Sequence, residues 1–194
     1  NLQLSSIMTK QAFNYFLRCI GSLLIFSSLF VSCDSKKQDS KSKQVFRYNE
    51  HKNIGSLDPA FAKDNADIWA VNQLFNGLVQ MDSLMNVTPA IAQSWTISEN
   101  AKVYTFKLRN DVNFHSHPLF GNTQTRTVTA NDFVFSFDRL KDPILASPGS
   151  WVLQNVESYT ALDQHTFQIN LKTPFPAFLG LLTMKYCSVV PKEI

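Results

Sequence analysis

Residues 34–44, DSKKQDSKSKQ, contain no apolar side chain, and this stretch decides how the rest of the chain can be organised. A run with nothing to bury cannot offset the entropy of ordering, so it reads as a flexible tether. A chain of that length reaches roughly 18 Å on average. It separates a leader, residues 1–33, from a body, residues 45–194.

The leader has the layout of an export signal. Met8 is the expected start, with residues 1–7 as upstream sequence. Lys10 and Arg18 supply a basic end, and residues 20–31 form an apolar run of about a dozen. That is short of the roughly 20 residues a transmembrane helix needs, and it suits the apolar region of a secretory signal. The run ends Leu29-Phe30-Val31-Ser32-Cys33, which resembles the bacterial lipobox, with Phe30 where leucine is usual. We therefore expect residues 1–32 to be removed and Cys33 to be lipidated and become the new N-terminus. Residues 33–44 would then lift the body off a membrane surface. An uncleaved membrane anchor is the alternative. Several acyl chains on one cysteine would hold firmly, since each buried CH₂ contributes about 0.8 kcal/mol and a single chain is marginal.

The body has the composition of a packed domain, because the chain is 44% hydrophobic and 17% charged. Lys10 and Arg18 lie in the leader, which has no acid. Without them the chain carries 16 basic against 15 acidic residues, so nothing electrostatic points to nucleic acid. The cysteines lack metal-ligand spacing, and Cys187 lies in an apolar stretch that predicts an inert core thiol.

Alternation of apolar residues predicts a first strand over 45–49. Asp64 is placed to cap a helix whose apolar face is Ile68, Val71, Phe75 and Leu78, with Gly77 as its stop. A short strand over 78–81 and a turn over 82–86 follow. One hairpin pairs 93–97 with 103–108, carrying Tyr104, Phe106 and Leu108 on one face. A long polar loop fills 113–126. Thr129 and Asp132 mark the start of a helix whose buried stripe is Phe133, Val134, Phe137 and Leu140, ended by Asp142-Pro143. A second hairpin pairs 156–162 with 166–171 and turns at Asp163-Gln164. An apolar helix over 177–184 and a last strand over 187–190 complete the body. Pro191 suits the first position of a further helix, so the chain reads as truncated.

Catalytic signatures are missing. The sequence holds no GxSxG, HExxH, phosphate-binding glycine loop or CxxC, so neither an enzyme nor a cofactor is expected. His115 and His117 lie two apart in the long loop and are expected to be solvated polar residues. Asp132 and Asp138 suit capping and surface charge better than acid–base work.

A set of short stretches runs in order along the body. They are Ser56-Leu57-Asp58-Pro59, Leu74-Phe75-Asn76-Gly77-Leu78-Val79, and Thr88-Pro89-Ala90-Ile91-Ala92-Gln93-Ser94-Trp95. Tyr104-Thr105-Phe106-Lys107-Leu108-Arg109, Val112-Asn113-Phe114-His115, Val128-Thr129-Ala130-Asn131-Asp132-Phe133-Val134-Phe135-Ser136-Phe137 and Val190-Pro191-Lys192 follow. In this order they resemble the family-5 extracellular solute-binding proteins, the dipeptide, oligopeptide and nickel binders. Two departures are Asn100-Ala101, where Asp-Gly is usual, and a longer loop over 116–126.

The resemblance implies a two-lobed α/β protein that closes on its ligand like a hinge, with residues 45–194 forming only the early part of the first lobe. It implies capture of peptides outside the cytoplasmic membrane and delivery to the permease and ATPase of an ABC importer. A sensor or surface-interaction lipoprotein of the same fold, or a non-functional fragment, are the other readings. The ligand-facing residues expected are Ser147, Gly149 and Trp151. Pro148 and Gly149 allow a sharp turn and close backbone approach. Trp151 offers a flat apolar face with one donor, and the equivalent loop of the oligopeptide binders carries an aromatic that meets peptide. The alternative is that Trp151 starts the next strand and packs inward.

Overall fold

A computed structural model of the protein describes Val45 and residues 47–193. The leader, the tether and the expected lipidation site at Cys33 lie outside the described residues. Among the described residues no helix is long and apolar enough to cross a membrane. The chain divides into two units, Asn1–Tyr48 and Asn49–Ile194. Of the first, Val45, Arg47 and Tyr48 are described, and they adopt neither helix nor strand. Among the described residues of 45–49 the expected strand is not formed. Alternation makes a strand only where a ladder can be built beside it.

The second unit is organised around an antiparallel sheet. Its strands are β3 (Ala92–Ile97), β4 (Val103–Leu108), β5 (Val156–Asp163) and β6 (Thr166–Leu171), in the order β3-β4-β6-β5. A smaller sheet pairs β1 (Val79–Met81) with β2 (Val87–Pro89), a partner the sequence did not announce. Asp82 Oδ1 closes that turn by accepting from the Leu84 and Asn86 N–H groups.

Period-2 alternation decides which face of the large sheet is covered. Tyr104, Phe106 and Leu108 of β4 and Phe167, Ile169 and Leu171 of β6 are buried, while Thr105, Gln168 and Asn170 lie on the less covered face. The helices are α1 (Asn65–Leu74), α2 (Ala130–Lys141) and α3 (Phe178–Leu181). Helix α2 lies over β5 and β6 with Phe133, Phe137 and Leu140 fully buried. The Phe137 ring meets Phe167 edge-on at 5.5 Å and Tyr159 at 5.4 Å, the arrangement that aromatic quadrupoles favour.

The β3–β4 turn falls where expected and the β5–β6 turn one residue later, at Gln164-His165, and the two use different chemistry. Asp163 closes the β5–β6 turn by accepting from the His165 N–H and the Thr166 hydroxyl. The β3–β4 turn puts Ala101 at φ 53°, a left-handed conformation that costs an alanine about 1–2 kcal/mol.

Three further expectations need correction. Helix α1 ends at Leu74, because Phe75 is already extended, so Gly77 is not its stop. Gly77 is needed because a Cβ there would crowd the carbonyl oxygen of Cys187 at 3.2 Å. The helix expected over 177–184 is regular only through α3. The strand expected over 187–190 is absent. Lys185–Cys187 form a 3-10 turn, and the extended residues beyond it are held singly, by Val189 N–H to Asn76 O and Val190 N–H to the Ser136 hydroxyl. Those amides are satisfied without a ladder, so no strand results. Cys187 is free and buried, and burial pushes its thiol up to about 12, which matches the inert core thiol expected.

Candidate functional site

Three connecting segments gather beside α2. The first is the 3-10 turn Pro59–Phe61, set up by Asp58, whose carboxylate accepts from the Ala60 N–H. The second is the loop over 146–149 with the 3-10 turn Ser150–Leu153 that follows it. The third is the 3-10 turn Lys185–Cys187, which packs against the first.

Ser147 is the tie between the first two. It is 4% exposed, donates its hydroxyl to Ala60 O at 2.6 Å and accepts from the Gly149 N–H at 3.0 Å. Gly149 ties the second to the third, since a Cβ there would overlap the ring of Tyr186. Sequence reasoning assigned the missing Cβ of Gly149 to a ligand; here that space belongs to Tyr186. Ser147 and Gly149 thus support the loop from below. Trp151 stands on top of it, 49% exposed, in the 3-10 turn and not in β5, so it neither starts the strand nor packs inward.

Two cavities flank Trp151. One, of about 460 Å³, is lined by Trp151, Val152, Pro174, Phe175, Phe178 and Leu181, with Gln154, Asn155 and Thr173 as its polar edge. The other, of about 450 Å³, is lined by Trp151, Ser150, Leu153, Gln154 and Val156 with the two cations Lys141 and Lys172. Both are in the size range of small-molecule pockets. A flat aromatic between an apolar and a cationic wall can hold a ligand by stacking and by charge, and it can do no bond-making chemistry alone. Lys172 donates to Gln154 O at 2.8 Å, and Lys141 lies over the Tyr159 ring at 5.4 Å. Sequence reasoning missed both lysines, because neither adjoins Trp151 in the chain.

The electrostatics nearby are structural. Desolvation pushes the Asp58 carboxyl up, but the Arg139 guanidinium at 2.6 Å and the Ala60 N–H outweigh it and hold the group below its ordinary value. Burial lowers the Lys185 ammonium. At the start of α2, Asp132 accepts from the Thr129 N–H and hydroxyl and from Arg126 at 2.6 and 2.8 Å. Arg126 also binds Glu193 at 2.7 Å and lies over the rings of Phe114 and Phe120. Its two carboxylates raise the guanidinium further above its ordinary value. The aspartates thus act as a cap and as a surface acceptor, Asp138 taking the Tyr159 hydroxyl at 2.6 Å. His115 Nε2 lies 3.1 Å from Leu74 O, and among the described residues no cluster of possible metal ligands occurs.

Residues 86–193 match the family described as bacterial extracellular solute-binding proteins, family 5, middle region. The chain is 31% identical to the probable deoxycholate-binding periplasmic protein YgiS of Escherichia coli, over 78% of this chain and 30% of that one. It is 32% identical to the periplasmic oligopeptide-binding protein OppA of Salmonella typhimurium, over 78% of this chain and 29% of that one. Among solved structures, the periplasmic binding protein DppA of Helicobacter pylori in complex with the peptide STSA superposes with a TM-score of 0.63 at 32% identity. That match covers 71% of this chain and 29% of DppA. The fold is the mixed α/β fold of these binding proteins, and the chain covers part of its first lobe. It spans about 30% of the length of the curated relatives it matches.

Proposed function

The chain belongs to the family-5 bacterial extracellular solute-binding proteins, and from that premise we propose that it is part of the capture component of an ABC importer. The protein takes up peptides outside the cytoplasmic membrane and passes them to the permease and ATPase. It performs no catalysis. It works through the membrane anchor at Cys33, from which the tether over 34–44 carries the body.

The observation that carries this reading is the placement of Trp151. Half-exposed, Trp151 divides two cavities on a loop braced by Ser147 and Gly149. In the whole protein that loop faces the ligand cleft. A cleft between lobes encloses most of its ligand, so the body over 45–194 alone binds peptide no tighter than about millimolar. The similarity to YgiS, whose name refers to deoxycholate, favours a second reading in which the solute is a non-peptide amphiphile.

Tryptophan fluorescence of the full-length protein with a mixed peptide pool tests the site. Trp151→Phe is expected to remove most of the ligand-induced change and to weaken binding without lowering the melting temperature. Unchanged binding with a lowered melting temperature would assign Trp151 to packing. Fatty-acid labelling tests the anchor: the wild type takes label and Cys33→Ser does not, whereas equal labelling of both sinks it.

A further inference from the structure

We infer that the cavity holding Lys141 and Lys172 is an anion subsite, receiving the carboxylate of a ligand whose apolar part occupies the neighbouring cavity across Trp151. The inference rests on the solute-binding reading and names the chemistry of what is bound.

The argument starts from unused charge. Among the described residues neither Lys141 nor Lys172 is in an ion pair, a state they share with Lys63, Lys102, Lys107, Lys185 and Lys192; what sets these two apart is that they line one cavity. An ammonium carries three donors. Lys172 spends one on Gln154 O, a neutral acceptor, and Lys141 lies over the Tyr159 ring at 5.4 Å, a contact with a neutral π face. Asp138, the carboxylate bonded to that ring's hydroxyl, is already an acceptor there and is not part of the cavity wall. No carboxylate lines the cavity, and two cations share its wall. Lys141 also suits the negative end of α2, but that long-range term uses none of its donors.

The second part is the wall they share. Trp151 borders both cavities, and the other one is mainly apolar, with Phe175, Phe178 and Leu181. A ligand spanning the pair therefore needs an apolar group and a carboxylate separated by about the width of an indole. A peptide ending in a large apolar residue has both, and so has a fatty acid. The shared chemistry is the amphipathic carboxylate.

The full-length protein is titrated calorimetrically with three probes: a leucine-rich tetrapeptide with a free C-terminus, the same peptide amidated, and a medium-chain fatty acid. A charge-assisted contact made only by the acid predicts about ten-fold or more tighter binding of the free peptide than of the amide. Lys141→Met with Lys172→Met erases that preference, and Lys172→Arg retains it. Binding of the fatty acid with the same dependence on the lysines assigns a non-peptide acid as a ligand, and its failure to bind assigns the peptide terminus. A preference that survives in the double variant, or equal weakening of acid and amide, overturns the inference while leaving solute binding intact. If no probe binds the wild type, both readings fall.

Discussion

The two ends of α2 are pinned by the same pair of groups with the roles reversed. At the first turn the helix supplies the carboxylate, Asp132, and the chain before it supplies Arg126. At the last turn the helix supplies Arg139, and Asp58, far back in sequence, supplies the carboxylate. Each arrangement places the favoured sign at its end of the helix dipole. The ends differ in burial. Asp132 is 4% exposed, while the Asp58 and Arg139 side chains are 29% and 26% exposed. The comparison teaches that burial, more than the identity of the partners, sets how much each pin matters. A charge that water can reach loses little when its partner leaves.

The sharpest way to break this view is Arg126→Met. It leaves Asp132 buried with only the Thr129 groups as donors, and a stranded buried charge costs about 3–5 kcal/mol. Denaturant unfolding should show a large fall in midpoint, and Asp132→Asn in the same background should recover part of it. A loss below about 1 kcal/mol would mean that the cap alone satisfies Asp132.

The opposite end comes next. Arg139→Met should cost about 1–2 kcal/mol, since Asp58 keeps the Ala60 N–H and reaches solvent. This end also has a pH signature. The Asp58 carboxyl is held below its ordinary value, so its contribution is fully present above the unfolded pKa of about 3.9 and is lost as pH falls through the lower folded value. In Arg139→Met, the stability lost to acid between about pH 5 and pH 3 should shrink relative to wild type. An unchanged acid limb would remove Asp58 from the comparison.

The smallest effect sharpens the first end. Glu193→Gln removes the outer carboxylate of the Arg126 cluster, a group near solvent, and should cost about 0.5 kcal/mol. A loss comparable to Arg126→Met would move the centre of that cluster from Asp132 to Glu193.

How much was legible beforehand follows from the range of the forces involved. The hairpins and α2 were readable because Tyr104, Phe106 and Leu108, the polar break near Asp163, and the Phe133-to-Leu140 stripe are local patterns. Gly77 was misread because its role depends on the Cys187 carbonyl, a contact no local pattern predicts. The 3-10 turn over Lys185–Cys187 hid behind an apolar run that satisfies a strand template equally well. At the site, Trp151 was visible by its neighbours Pro148 and Gly149. The bracing roles of Ser147 and Gly149, and the approach of Lys141 and Lys172, were not, because each depends on a partner distant in the chain.

The strand order β3-β4-β6-β5 has a consequence for how the protein is made. Each hairpin joins neighbours in sequence and can close within microseconds of its synthesis. The seam between them does not: Lys107 of β4 meets Thr166 of β6 across 59 residues. Loop-closure entropy makes that seam the late event, and topologies dominated by such distant pairings fold slowly. A chain delivered N-terminus first holds β4 with an open edge until β6 arrives. In that interval an unpaired edge is a template for another copy, so the delay across this seam adds to the chain's exposure to misassembly.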